Sequence, residues 1–156
     1  MMFRTHLAIG IISALLIHDY FNTGLLFSIV LILSTSLPDI DHQGSWIGRR
    51  LWIFSKPINI LFGHRGITHS MFVPLGIFGI LYYYGYQAIG LAIMLGYITH
   101  ILADSFTNEG VKIAYPVSKK AVSGPLKTNG VGEHVLFTLL IIGIGFKLIQ
   151  SFIYYF

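Results

Sequence analysis

The chain has 156 residues, 54% hydrophobic and 10% charged, with 17 Gly, 12 Phe, 9 Tyr, 2 Trp and no Cys. A soluble domain carries about a quarter charged residues, so an ordinary water-facing globule is excluded, as are a disordered chain and a disulfide scaffold. The net charge of +4 is modest; in so apolar a chain it bears on membrane orientation more than on nucleic acid.

Five apolar runs follow one another. The first, Leu7 to Ile17, is closed by His18, Asp19 and Asn22. Arg4 ahead of it gives the start of the chain the look of a secretory leader. No A-x-A-like site follows, however, and a second run begins at Gly24, so the first is read as a mature span. The second run, Gly24 to Leu37, is closed by Pro38, which removes a backbone donor and disfavours helix at Leu37. Segment 45–56, SWIGRRLWIFSK, places Ile47, Leu51 and Phe54 at helical spacing among Trp46, Trp52, Arg49, Arg50 and Lys56. That pattern suits an amphipathic helix in the headgroup layer, its cations near anionic lipid, ended by Pro57. The remaining runs are Met71 to Tyr84, Tyr86 to Ala103 and Val135 to Phe156.

A crossing helix needs roughly 20 residues. The last two runs approach that, the third needs its flanks, and the first two are short. The expectation is an all-α, polytopic membrane helix bundle of about five spans, one domain over residues 1–156. Five crossings would put the N-terminus and the loops 38–67 and 105–133 on one side, with nine of the ten basic residues; only Lys147 falls on the other. By the positive-inside rule that side is cytoplasmic. A bacterial-type inner membrane is the implied location, with the lipid bilayer as partner and no nucleic acid.

Chemistry-bearing residues gather at the same helix ends. His6 opens the first run; Asp39, Asp41 and His42 close the second; His64 and His69 precede the third. His100 and Asp104 end the fourth, and Glu133 and His134 open the fifth. His100 and Asp104 are four apart, hence on one helix face, and ionisable groups beside an apolar run mark function by default. In LPDIDH, an extended chain would point Asp39 and Asp41 the same way and His42 the opposite way. Asp/His sets without thiolate suit Zn²⁺, Mn²⁺ or Fe²⁺. Plainer readings exist: His6 as a cap, Asp39 as a turn residue, His100 and Asp104 as a structural pair. Ser70 beside His69 is the one hydroxyl nucleophile candidate, without an evident third member. No phosphate-binding loop or dinucleotide fingerprint is present.

THLAIG at 5–10, LPDIDHQGSWIGRR at 37–50, HRGITHS at 64–70, GYITHILADSFTNEGV at 96–111 and YPVSKK at 115–120 together resemble the YdjM-like, LexA-regulated, membrane-bound metal-dependent hydrolases. The chain is also distantly similar to the helical zinc-dependent phospholipase C and single-strand nuclease enzymes. The resemblance implies one to three divalent ions and phosphoester cleavage. It marks His6, Asp39, His42, His69, His100 and Asp104 as ligands, with Asp41 and His64 ligating or orienting a ligand. Arg65 would hold an anionic oxygen, Asp39 or Asp41 would receive a proton, and Glu133 would serve as ligand or base. The implied function is hydrolysis of a lipid or amphiphilic phosphoester at the cytoplasmic face. A metal or proton transporter using the same residues is the alternative, and a membrane protein with a structural metal the third.

Overall fold

The computed structural model describes residues 1–155 apart from Asn22, Gly63 and His64. Helix α1 (Phe3–Phe21) is followed by α2 (Leu25–Ser34), a 3₁₀ turn (Leu37–Asp41), α3 (Trp46–Arg50) and α4 (Trp52–Phe62). A second 3₁₀ turn (Ile67–His69) leads into α5 (Phe72–Tyr83), α6 (Gln87–Ser105) and α7 (Val131–Tyr155). The protein is all-α; between α6 and α7 the chain makes two isolated β-bridges, Thr107 with Leu126 and Val111 with Val122.

Helix α6 is the centre, packed on α1, α2 and α5, while α7 lies along α1. The close approach of α2 and α6 depends on Gly96: a Cβ there would sit 2.2 Å from the Leu31 carbonyl oxygen. Gly10 does the same for α1 and α2, where a Cβ would meet the Thr35 methyl at 2.8 Å. Between these contacts Ala14, Leu31 and Ala92 are buried together, and Tyr97, Ile101 and Val111 form a second buried group nearer the end of α6.

Five spans are not what this architecture provides. Among the described residues only α6 and α7 are long and apolar enough to cross a membrane. At 1.5 Å per residue α2 rises about 15 Å and α5 about 18 Å, against a hydrocarbon thickness of about 30 Å. Apolar run length overstates helix length, because residues 35–37 and 84 fall in caps and turns. Helix α1 has the length, but Arg4 and His6 at one end and His18 and Asp19 at the other shorten its apolar stretch. No residue in the most apolar stretch of α7 is fully buried by the protein, whereas 44% of those in the corresponding stretch of α6 are.

Segment 45–56 is helical but not continuous. Ser45 caps α3 by accepting from the Gly48 N–H, at 2.8 Å. The helix breaks at Leu51, and α4 then continues through Pro57 rather than ending there. Pro57 is the sixth of the eleven residues of α4, so it removes one intrahelical bond at the middle of the helix, which continues past it. Trp46, Trp52, Ile53 and Phe54 remain exposed. Asp19, at the far end of α1, is paired with Lys147 of α7 at 2.5 Å instead of being free in solvent.

Candidate metal centre

The C-terminal end of α6, the N-terminal end of α1 and both 3₁₀ turns converge. From α6, His100 and Asp104 face inward one turn apart, both fully buried. The second 3₁₀ turn supplies His69, also fully buried, and α1 supplies His6. The first 3₁₀ turn supplies Asp39, which is slightly open to solvent. Among the described residues, two groups of three have ligand atoms within 4.8 Å of one another: His6, Asp39 and His100, and His69, His100 and Asp104.

The hydrogen bonds behind the imidazoles fix their roles. His100 Nδ1 lies 2.7 Å from the Thr35 carbonyl oxygen. A carbonyl only accepts, so Nδ1 carries the proton and Nε2 of neutral His100 presents a lone pair. His69 Nδ1 lies 3.1 Å from the Thr68 hydroxyl, which itself donates to Asp41, and 3.3 Å from Asp41 Oδ2; both partners call for a proton on Nδ1, which likewise leaves Nε2 of neutral His69 as the acceptor. The two Nε2 atoms are 3.2 Å apart. Two lone pairs at that distance repel unless a cation or a proton lies between them. Around them stand Asp104 Oδ2, 3.7 Å from each, and Asp39 Oδ1, at 3.8 and 3.9 Å. Tetrahedral coordination with bonds of 2.0–2.1 Å has ligand–ligand edges of about 3.3 Å, so contraction by a few tenths of an ångström would enclose an ion.

His6 stacks on His100, ring centroids 3.7 Å apart and planes 11° from parallel. Its Nε2 is 3.2 Å from Asp104 Oδ1, yet neither ring nitrogen has a well-formed hydrogen bond although both are buried. A buried imidazole held by one poorly aligned carboxylate contact is costly in a merely structural role, and it suits an ion. These residues therefore fit a divalent metal.

Asp41 faces away from the centre. Its Oδ2 accepts from the Arg65 main-chain N–H at 2.8 Å and from the Thr68 hydroxyl, beside His69 Nδ1. An extended LPDIDH would have aligned Asp39 and Asp41. In a 3₁₀ helix with three residues per turn, side chains two apart diverge by about 240°, and one carboxylate goes to each side of His69. Arg65 has a left-handed backbone, φ 59°. Its guanidinium pairs with Asp104 at 2.8 Å and Glu109 at 3.0 Å, and donates to the Gly110 carbonyl at 3.2 Å.

The remaining candidates lie elsewhere. His42 is exposed and stands with Asp39, Trp46, Arg49, Arg65 and Glu109 around a pocket of about 540 Å³. It belongs to neither ligand group. Glu133, buried at the start of α7, accepts from the main-chain N–H of Met2 at 2.6 Å and of Asn129 at 2.7 Å, so it ties α7 to the N-terminal segment. His64 lies outside the described residues. The Ser70 hydroxyl donates to the Ile67 carbonyl within its own turn. Sequence reasoning missed Tyr97, whose hydroxyl donates to the Thr68 carbonyl at 2.6 Å; its spacing of three from His100 was the available signal. It also missed Thr35, which acts through a main-chain carbonyl and leaves no side-chain signature.

The sequence profile described as YdjM inner membrane protein matches residues 1–155. The chain belongs to that family. Inner membrane protein YdjM of Escherichia coli (strain K12) is 43% identical over 91 residues, covering 54% of this chain and 46% of that protein. The match to YdjM of Shigella flexneri has the same identity and extent. The aligned stretch thus spans about half the length of those relatives. Uncharacterized protein YvsG of Bacillus subtilis (strain 168) is 33% identical over 141 residues, 85% of each chain. No solved structure matches the chain. A YdjM-family membrane protein with His/Asp groups able to bind metal is the common content of fold and comparisons.

Proposed function

We propose that this YdjM-family protein is a metal-dependent hydrolase that cleaves a phosphoester of a lipid or amphiphilic substrate at the cytoplasmic face of the membrane. The observation that carries the reading is the pair of imidazole Nε2 lone pairs facing each other at 3.2 Å between two carboxylates, beside a polar pocket lined by Arg49 and Arg65 as well as Asp39 and Glu109. His6, Asp39, His69, His100 and Asp104 would hold a divalent ion, and zinc matches their mixed nitrogen and oxygen donors. When bound, such an ion supplies Lewis acidity that polarises a phosphoryl group and acidifies water.

The chain's own groups do the rest. Asp39 is the cluster carboxylate that reaches the pocket, so it joins the ion's surroundings to the space where substrate would lie. Asp41 acts through His69, holding Nδ1–H so that Nε2 stays an acceptor, as carboxylates behind ligating histidines do. Arg65 keeps Asp104 in place and offers charge to the phosphoryl oxygens. Arg49 and His42 on the rim meet the anionic headgroup, while Glu133 holds the N-terminal segment against the site. Cytoplasmic placement rests on Arg4, Arg49, Arg50, Lys56 and Arg65 belonging to the site end, where the positive-inside rule puts basic residues.

The test is metal analysis of protein purified in detergent, wild type beside His100→Ala and Asp39→Ala, followed by a phospholipid hydrolysis screen. Stoichiometric metal that both substitutions reduce, together with turnover of a phospholipid, is expected. Metal-loaded protein that hydrolyses no phosphoester across the lipid panel would overturn the reading.

A further inference from the structure

A second cavity adjoins the polar pocket. It has a volume of about 480 Å³ and lies between α1, α6 and α7, walled by Ile9, Ser13, Leu102, Ala103, Phe106 and Leu136. We propose that it is the subsite for one acyl chain of a glycerophospholipid whose headgroup occupies the polar pocket. The assignment rests on the hydrolase reading above and specifies its substrate class.

Three observations support the occupant. First, the two cavities are neighbours, because Met1 lines both. Helix α6 arranges this adjacency: Thr99, Leu102, Ala103 and Phe106 recur at i, i+3, i+4 and i+7 and form the groove face, while His100 and Asp104 form the adjacent site face. Second, the cavities divide by chemistry as an amphiphile does. Arg49, Arg65, His42, Asp39 and Glu109 line one, and mostly apolar side chains, with Ser13 and Thr99, line the other. Third, the groove opens outward, since Leu102 and Phe106 are 53% and 59% exposed. It opens beside α6 and α7, the helices suited to hydrocarbon, so a chain enters from the bilayer without crossing water.

A comparable apolar cavity of about 450 Å³ between α1 and α2 shares no lining residue with the polar pocket. Its polar neighbour is His18, at the end remote from the carboxylates, so no headgroup site completes it. It therefore serves as the internal background for the test.

The experiment uses the full chain in nanodiscs of phosphatidylglycerol doped with phosphatidic acid carrying a diazirine midway along one acyl chain. After irradiation, adducts are mapped by peptide. They are expected to concentrate on residues 99–106 and on Leu136. Leu102→Trp and Leu136→Trp should each cut that labelling about tenfold, equivalent to a chain losing the burial of about two methylenes. Ile142→Trp, exposed on the same helix as Leu136, should leave it unchanged, and all three variants should retain wild-type metal content. Adducts spread evenly over Ile142, Phe146 and Ile149, or equal to those between α1 and α2, would overturn the subsite. So would labelling indifferent to both groove substitutions. Hydrolysis of the water-soluble bis-p-nitrophenyl phosphate is measured in parallel. Turnover without groove labelling would sink the subsite and spare the hydrolase reading. Groove labelling without turnover of any phosphoester would sink the hydrolase reading and leave the groove a lipid site.

Discussion

At one end of the bundle His6, Asp39, His69, His100 and Asp104 crowd around a common centre; at the other, Lys147 meets Asp19 at 2.5 Å and the His18 ring meets the Thr23 carbonyl. The far end uses its polar groups in pairs that satisfy each other locally. The site end does not. There two imidazole acceptors oppose each other, and a third imidazole has no well-formed bond. Buried ionisable groups persist only when something compensates them. At the site end Asp104 is already met by the Met1 ammonium and by Arg65, and the facing imidazole acceptors are the groups there that a further cation would compensate.

The strongest way to break this contrast is to remove an imidazole. His100→Ala deletes the residue common to both ligand groups. It should lower bound metal to less than about a tenth of wild type, as elemental analysis after gel filtration would read; losing one of about four ligands exceeds the 10–100-fold penalty typical of an orienting partner. Full metal retention would mean the ion is held elsewhere. Next in size is Asp41→Asn. Because Asp41 sits behind His69 rather than at the centre, metal affinity should fall by about 10–100-fold while the helical circular dichroism is kept. An unchanged affinity in a competition titration with a chromophoric chelator would remove Asp41 from the site.

The third prediction concerns what places the site. Gly96→Leu drives a side chain into the Leu31 carbonyl, forcing α2 off α6 and displacing the 3₁₀ turn that carries Asp39. Overpacking of this kind costs about 1–3 kcal/mol, so the melting temperature should drop by about 3–10 °C, with a partial loss of metal. A melting curve and metal content equal to wild type would show that the helix contact is not what delivers Asp39.

How much of this was legible follows from which features are local. The pair His100 and Asp104 could be read directly, because α6 is an uninterrupted helix and four residues make one turn. The gathering of His6, Asp39 and His69 at the same end was legible from their places beside apolar runs. The opposite orientations of Asp39 and Asp41 were not, since LPDID alone does not choose between an extended strand and a 3₁₀ turn. The number of spans failed for a related reason. Apolar residues continue through the caps at Thr35 and Tyr84, so composition alone cannot locate where a helix stops. Pro57 misled in the opposite direction, because it removes one bond in the middle of α4 and the helix continues past it.

The smallest expected effect probes the far end. Lys147→Ala removes the pair to Asp19, in which both groups retain some solvent contact, and partly exposed pairs contribute at most about 1 kcal/mol. The melting temperature should therefore fall by no more than about 2–4 °C. Metal content and any hydrolytic activity should stay at wild-type levels. The reason is the division of labour along α7: its first turn is tied to the N-terminal segment through Glu133, so loosening its far half leaves His6 and Asp104 together. If metal were lost instead, the far pair would be setting the angle of α1 against α7, and the two ends would have to be treated as one coupled device.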